Sequence, residues 1–308
     1  MTDGVVFRQV ELSDIDAMVA MLNPMYRLKR SKEFLIWQCF KNINPTVLMG
    51  AFDGDVIIGM FGIQKRILTN GAVCGQGSWI NIRPEYRGRG YFAILGELAI
   101  RHFSDLDIVC VFANHSAKTP LEKSLKFQTN NPIYLLINDN LHRFDANNSK
   151  CIPIDKETRF ECANRIEARN VGFVYFEEYR RWRYAFNPMY SYWLILLETG
   201  DFAVVKKFQD PDSGIIWGDI VDFEFSLTDH KRFYELFQAV LSHLTRLGAT
   251  RATFWTLPEM AWRQVIQNLG FKKSDHKTFF SLLVINQKFE YLYDFDLWNL
   301  RQADATNF

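Results

Sequence analysis

Apolar positions along this chain follow a helical spacing in some stretches and a two-residue alternation in others, and turn residues mark most of the changes. Residues 12–22 (LSDIDAMVAML) carry apolar side chains at helical spacing, with Ser13 placed to cap the first turn, and 34–40 predict a second short helix. Residues 47–52 and 56–61 read as strands joined by Asp53 and Gly54, a pair suited to a type I′ turn, and 63–68 extend the second strand. Asn70 and Gly71 form another such turn before a strand over 74–82. A helix with Tyr91, Ile94, Leu95, Leu98 and His102 on one stripe comes next. A buried strand over 108–112, a helix over 118–126 and a last strand over 133–137 complete a mixed α/β order. The polar stretch 139–150 reads as an exposed connector.

The second half repeats this order. Trp37 followed by Asn44 and Pro45 recurs as Trp182 followed by Asn187 and Pro188, 145 residues on at the tryptophan. Cys110 to Asn114 resembles Ala252 to Thr256, 142 residues on, and Leu125-Lys-Phe127 resembles Leu269-Gly-Phe271, 144 residues on. Between these anchors come a hairpin over 192–197 and 202–208, a strand over 215–225, a helix over 228–247, a strand over 250–256, a helix over 259–269 and a strand over 279–285. Near-equal offsets in one order point to a duplicated domain. They divide the 308 residues into 1–146 and 147–308, the two domains that length alone suggests.

Charge narrows the partners. The net charge is +1, from 36 Lys and Arg against 35 Asp and Glu, which argues against nucleic acid or an anionic membrane as the main partner. The amino terminus lacks the pattern of a secretory signal, and stretches such as 193–197 are too short to span a bilayer, so no membrane span is expected. Five cysteines without a C-x-x-C pair fit neither a disulfide framework nor a thiolate zinc site. Cys110, within an apolar run, reads as a small buried residue. The expectation is a reduced, cytoplasmic protein without a metal. The sequence leaves the oligomeric state open.

The segment with chemistry is 78–95, SWINIRPEYRGRGYFAIL. A strand meets Pro84, then a short basic loop, then an amphipathic helix. Gly88 and Gly90 let successive main-chain N–H groups face one side, and the first N–H groups of the helix are unpaired and partially positive. Together they suit an anion such as a diphosphate, with Arg87 and Arg89 adding charge-assisted contacts. Read as residues alone, the loop could equally be a β-to-α turn with surface arginines. It is neither the Walker nor the dinucleotide pattern.

Pro84-Glu-Tyr-Arg-Gly-Arg-Gly90 behind a strand resembles the acetyl-CoA loop of the GNAT N-acetyltransferases, Gln/Arg-x-x-Gly-x-Gly/Ala. Arg87 and Gly90 match, while Phe92 stands where Gly or Ala is usual. The resemblance covers about residues 5–137, and 170–290 as a fold repeat. It implies two tandem GNAT-like α/β domains, each a mostly antiparallel sheet flanked by helices. It also implies an N-acetyltransferase that takes acetyl-CoA, or another acyl-CoA, and a small-molecule amine acceptor. The main chain of Arg87, Gly88, Arg89, Gly90 and Tyr91 would hold the pyrophosphate. Asn81 and Ile82 would pair with the pantetheine arm and polarise the thioester, and Asn114 would touch the cofactor. The family's frequent tyrosine acid falls on Glu122. His115 has a pKa suited to a base and could equally be a plain surface histidine; Glu85 could act through water or be solvated.

In the second half the turn over 224–230 lacks glycine and arginine, so this copy is expected to hold no cofactor and to build part of the acceptor site. Thr228 or Asp229 would cap its helix. Asp219 and Asp222 are expected to lie on different faces, at most one of them in a cleft, with solvent as the usual place. Residues 178–188 could grip a charged acceptor, or pack Trp182 and Phe186 inside with the arginines outward. The tail, 291–308, is aromatic enough to dock and resembles the endings of tandem GNAT proteins found with bacterial surface-polysaccharide genes, which implies an amino-sugar acceptor. A Fem-like aminoacyl or acyl-carrier transferase and a non-catalytic acyl-CoA-binding scaffold are the alternatives.

Overall fold

The computed structural model describes residues 4–141, 149–160, 171–224, 229–256 and 263–305. In chain order the first elements are β1 (Val5–Gln9), α1 (Ile15–Leu22), α2 (Lys32–Leu35), β2 (Thr46–Asp53), β3 (Val56–Ile67), β4 (Val73–Ile82), α3 (Tyr91–His102), β5 (Ile108–Ala113), α4 (His115–Leu125) and β6 (Gln128–Asn138). Then come β7 (Ser149–Pro153), α5 (Glu177–Arg180), β8 (Tyr192–Leu197), β9 (Phe202–Gln209), β10 (Ile216–Glu224), α6 (His230–Arg246), β11 (Arg251–Thr256), α7 (Arg263–Asn268) and β12 (Lys272–Val284). Contacts group them into two compact units: Met1–Asn130 with Phe279–Phe295, and Asn131–Thr278 with Asp296–Phe308.

In the first unit β1, β2, β3 and β4 pair antiparallel in sequence order, and β5 then lies parallel to β4. Alternation along the strands, reset in β3 by a bulge at Ile58, sends Ile58, Ile63, Val109 and Val111 to one face, where they form a core with Leu95 and Ala99 of α3 and Leu121 of α4. Their neighbour Ile57 faces the other way and is equally buried. Helix α1 starts differently from its expected Ser13 cap. A 3₁₀ turn over Leu12–Asp14 precedes it, and the Asp14 carboxylate accepts from Glu11 N–H at 2.9 Å. Helix α4 begins at His115 rather than 118, because Asn114 caps it by accepting from Ala117 N–H at 2.9 Å.

The closing strands are exchanged between the halves of the sequence. Beside β5 lies the second part of β12, with Phe279 opposite Ala113 and Val284 opposite Ile108. Strand β6, which the sequence order places last in the first half, instead pairs with β11 in the second unit, Tyr134 opposite Thr256 and Asn138 opposite Ala252. Compactness therefore groups the chain differently from a cut at 146/147, because each half of the sequence gives a strand to the other half's sheet.

The second unit repeats the first. β8, β9 and β10 are antiparallel, and β10 then runs parallel to β11, Trp217 opposite Arg251, just as Cys74 lies opposite Ile108. Both copies carry an α-to-π segment. Helix α2 continues into π turns over Ile36–Phe40, where Lys41 N–H donates to Ile36 C=O at 2.9 Å. Helix α5 continues into Arg181–Ala185, where Phe186 N–H donates to Arg181 C=O at 3.1 Å. The asparagine that follows closes the same small turn in each: Asn42 accepts from Asn44 N–H and Asn187 from Met189 N–H, both at 2.9 Å. The duplication thus extends to hydrogen-bond detail. Among the described residues no helix is long and apolar enough to cross a membrane, and no cluster of His, Cys, Asp and Glu could hold a metal ion.

Candidate functional site

In the first unit β4 leaves its parallel neighbour halfway along. Its pairing with β5 runs from Cys74 to Gly77, whereas its pairing with β3 runs on to Ile82. The departure coincides with a bulge: Met60 faces Asn81 and Gly62 faces Ser78, so Trp79 and Ile80 both oppose one residue of β3. Trp79 takes φ +52°, a left-handed value that a side chain disfavours. Arg83 N–H donates to Ile58 C=O at 2.8 Å, so the peptide groups of Ile82, one residue earlier, point away from β3. The Ile82 carbonyl accepts from Arg87 Nε at 3.1 Å. Past Gly77 an open edge of β4 thus leads to the loop.

The loop is a 3₁₀ turn over Pro84–Tyr86, an extended Arg87, then Gly88 at φ +78° and Gly90 at φ +81°, where α3 starts. Around both glycines there is open space where a Cβ would stand. Arg87 N–H is spent on Pro84 C=O at 3.3 Å, which removes it from the set expected to face an anion. The N–H groups of Gly88, Arg89, Gly90 and Tyr91 donate to nothing among the described residues. They stand at the positive end of a twelve-residue helix. Arg89 donates to Glu85 C=O at 3.2 Å and lies over the Tyr86 ring. Tyr86 in turn donates to the Asp53 carboxylate at 2.7 Å, tying the loop to the β2–β3 turn and pushing the phenol pKa up.

Asn114 and His115 follow β5 directly and are exposed at the start of α4. The Asn114 carboxamide oxygen accepts from Ala117 N–H and from the Ser116 hydroxyl at 2.7 Å. The His115 ring lies 6.1 Å from that of Phe279. Glu122, further along α4, faces Lys118 at 3.8 Å. Asn81 points to the opposite face of the sheet, since its neighbours Ile80 and Ile82 pack with the core of α3. There its amide donates to Tyr26 Oη at 3.3 Å. Tyr26 escaped the sequence reading because 23–31 has no period and no motif.

The second unit has the same fork with different contents. β10 pairs with β11 up to Asp219 opposite Thr253, and a bulge against β9 at Val221 follows. That bulge overturns the expectation for the two aspartates, since one extra residue returns Asp222 to the face of Asp219. Both are buried rather than solvated. Asp219 pairs with Lys206 at 3.0 Å, and Asp222 with Arg301 at 2.5 Å and Arg180 at 3.6 Å. Arg180 also reaches Glu224 at 2.9 Å, and Arg183 donates to Ala305 C=O at 2.7 Å. Arg180 and Arg183 are therefore inside and Phe186 is exposed, against the packing expected, whereas Trp182 is buried as expected and Arg181 is half-buried. Gln302 Nε2 lies 3.4 Å from Thr253 on the other arm, so the segment 299–305 bridges the fork. Of the loop expected to lack a phosphate site, 225–228 lie outside the described residues; Asp229 caps α6, accepting from Lys231 and Arg232 N–H.

No family model and no curated protein matches the sequence. Solved structures do. A tandem GNAT protein from the clavulanic acid biosynthesis pathway aligns with TM-score 0.61 at 13% identity over 91% of this chain and 98% of that one. The Saccharomyces cerevisiae N-myristoyltransferase with bound myristoyl-CoA aligns with TM-score 0.64 at 9% identity, over 91% and 82%. A GCN5-related glucosamine N-acetyltransferase region of a fungal multi-domain GH3 β-N-acetylglucosaminidase aligns with TM-score 0.58 at 13% identity; this chain spans only 38% of that protein. At these identities the likeness is one of fold, and the fold is the tandem GNAT fold.

Proposed function

We propose that this chain is an acyl-CoA-dependent N-acyltransferase with one donor site, in the first unit. The observation that carries this reading is the fork itself. An open strand edge at Ile82 leads straight to the N–H groups of Gly88 to Tyr91. An extended thioester arm can add to the edge as a further strand does, while its diphosphate meets the helix N-terminus. The attacking group is then an amine held next to the thioester carbonyl.

The donor is proposed to be acetyl-CoA and the acceptor a small amine of the amino-sugar class. The fungal relative in fold is named for glucosamine acetylation, which supports the acceptor class. The second unit is assigned no donor, because its own segment 299–305 bridges the corresponding fork. Residues 1–146 and 147–308 are thus proposed to serve chiefly as donor half and supporting half. The four described cysteines, free and three of them buried, suit a reducing compartment such as the cytoplasm.

Thiol release from acetyl-CoA across amino sugars, sugar nucleotides, polyamines and amino acids tests the activity. Release with one amine class and none with the others is the expected result. Binding of acetyl-CoA without release for any amine would favour the binding-only scaffold instead.

A further inference from the structure

On the face of the first unit that carries α3 and α4, the region around the fork is apolar. A Cβ at Gly59 would meet Ile82 Cδ1 at 2.6 Å and Leu95 Cδ1 at 3.1 Å, and one at Gly77 would meet Val111 Cγ2 at 2.7 Å. Ile80, Ile82 and Leu95 on this face are apolar and offer a reacting group no hydrogen-bond partner. The opposite face differs at the same level. Asn81 and Tyr26 are half-buried there, as Ile80 and Ile82 are on the first face, but they are polar and their polar ends meet each other.

Tyr26 is held firmly. Its ring stands edge-on to Trp79 at 6.3 Å, and Trp79 stands edge-on to Phe34 at 6.4 Å. The Arg30 guanidinium covers the rings of Tyr26 and Phe34 at 5.6 and 5.1 Å. Trp79, with its left-handed backbone, is also one of the two bulged residues at which β4 has left β5. A residue at which the edge of β4 lies free therefore also supports the ring of Tyr26. Because Asn81 donates to the Tyr26 oxygen, the phenol keeps its own proton for another acceptor.

We infer that Tyr26 is the side chain that meets the reacting acyl group on the acceptor's side, with Asn81 as the residue that positions it. This rests on the acyl-CoA reading above. The phenol hydroxyl there donates a hydrogen bond to the charge that grows on the thioester as the amine attacks and the C–S bond breaks. Glu122, paired with Lys118, is then not the group at the reacting atoms.

Bromoacetyl-CoA tests the placement without knowledge of the acceptor. It presents an electrophilic carbon where the acyl group lies. A nearby thiolate forms a C–S bond to that carbon, the C–Br bond breaks and bromide leaves. The variants are Tyr26→Cys, Asn81→Cys as a second probe should the first fail to fold, and Glu122→Cys for comparison. Peptide mapping separates the new adduct from any on native cysteines, of which Cys39, Cys74 and Cys110 are buried. Labelling at position 26 should be at least about tenfold faster than at 122 and be suppressed by acetyl-CoA, as proximity requires; position 81 should react as well. A folded Tyr26→Cys protein that binds acetyl-CoA and stays unlabelled, or faster labelling at 122, overturns the inference and leaves the acyl-CoA reading standing. If Tyr26→Cys does not fold, an unreactive Asn81→Cys has the same force. Failure of the unmutated protein to bind acetyl-CoA overturns both.

Discussion

The Arg301 guanidinium donates to the Asp222 carboxylate at 2.5 Å, and through this contact the segment 299–305 is locked into the fork of the second unit. Both groups are buried, Asp222 completely. Replacing Arg301 with Met leaves Asp222 with the Phe223 N–H at 2.9 Å, the Tyr184 hydroxyl at 3.1 Å and Arg180 at 3.6 Å. Breaking a buried pair costs about 3–5 kcal/mol, and these remaining partners place Arg301→Met at about the lower end. Urea unfolding measures the loss, and Asp222→Asn in the same background should add less than it costs alone.

The same carboxylate sets an acid limit. Burial pushes the Asp222 pKa up, but Arg301 and Arg180 more than offset it, so the folded value lies below the ordinary one. Its stabilisation is therefore full above the unfolded-chain value of about 3.9 and is lost as pH falls through the folded value. In Arg301→Met burial gains weight, and the midpoint of acid unfolding followed by circular dichroism should move to higher pH.

His243 acts nearer neutrality. Burial, and then the charge of Arg246, push its pKa down, and its Nε2 lies 2.9 Å from the Ser149 hydroxyl. The unfolded chain takes up a proton at about pH 6.5 that the folded one resists, so stability is full above that value and falls as pH drops through the folded one. His243→Gln should flatten the dependence of unfolding free energy on pH below about 6.5. An unchanged slope would assign that dependence to other groups.

Helices α3 and α4 meet at Gly96, where a Cβ would collide with the Leu125 side chain. Gly96→Val should destabilise the protein by about 1–3 kcal/mol through overpacking, despite the poor helix propensity of glycine. In a Leu125→Ala background the added cost of Gly96→Val should shrink, as chemical denaturation of the four proteins would show.

The loop before α3 could be read in the sequence because its function needs residues with local signatures: Gly88 and Gly90 at positive φ, and Pro84 at the turn. The strand exchange could not. Residues 133–137 and 279–285 are both short apolar runs, and nothing local states which sheet each joins. The bulges at Trp79 and Val221 were equally silent, and each changes which side chains share a face. Buried Arg180 and Arg183 break the ordinary rule for arginine, and the acid that explains Arg180, Glu224, lies 44 residues away. Tyr26 acquires meaning only from a contact with Asn81, 55 residues on.

Isothermal titration of the whole chain with acetyl-CoA tests the central claim most directly, with Gly90→Asp as the variant. At φ +81° a side chain costs about 1–2 kcal/mol, which the fold can bear, while a carboxylate placed among the N–H groups opposes a diphosphate. One acetyl-CoA per chain, lost in Gly90→Asp with the circular dichroism spectrum unchanged, is the predicted result. No binding to the unmutated chain, two equivalents per chain, or binding untouched by the substitution would contradict it.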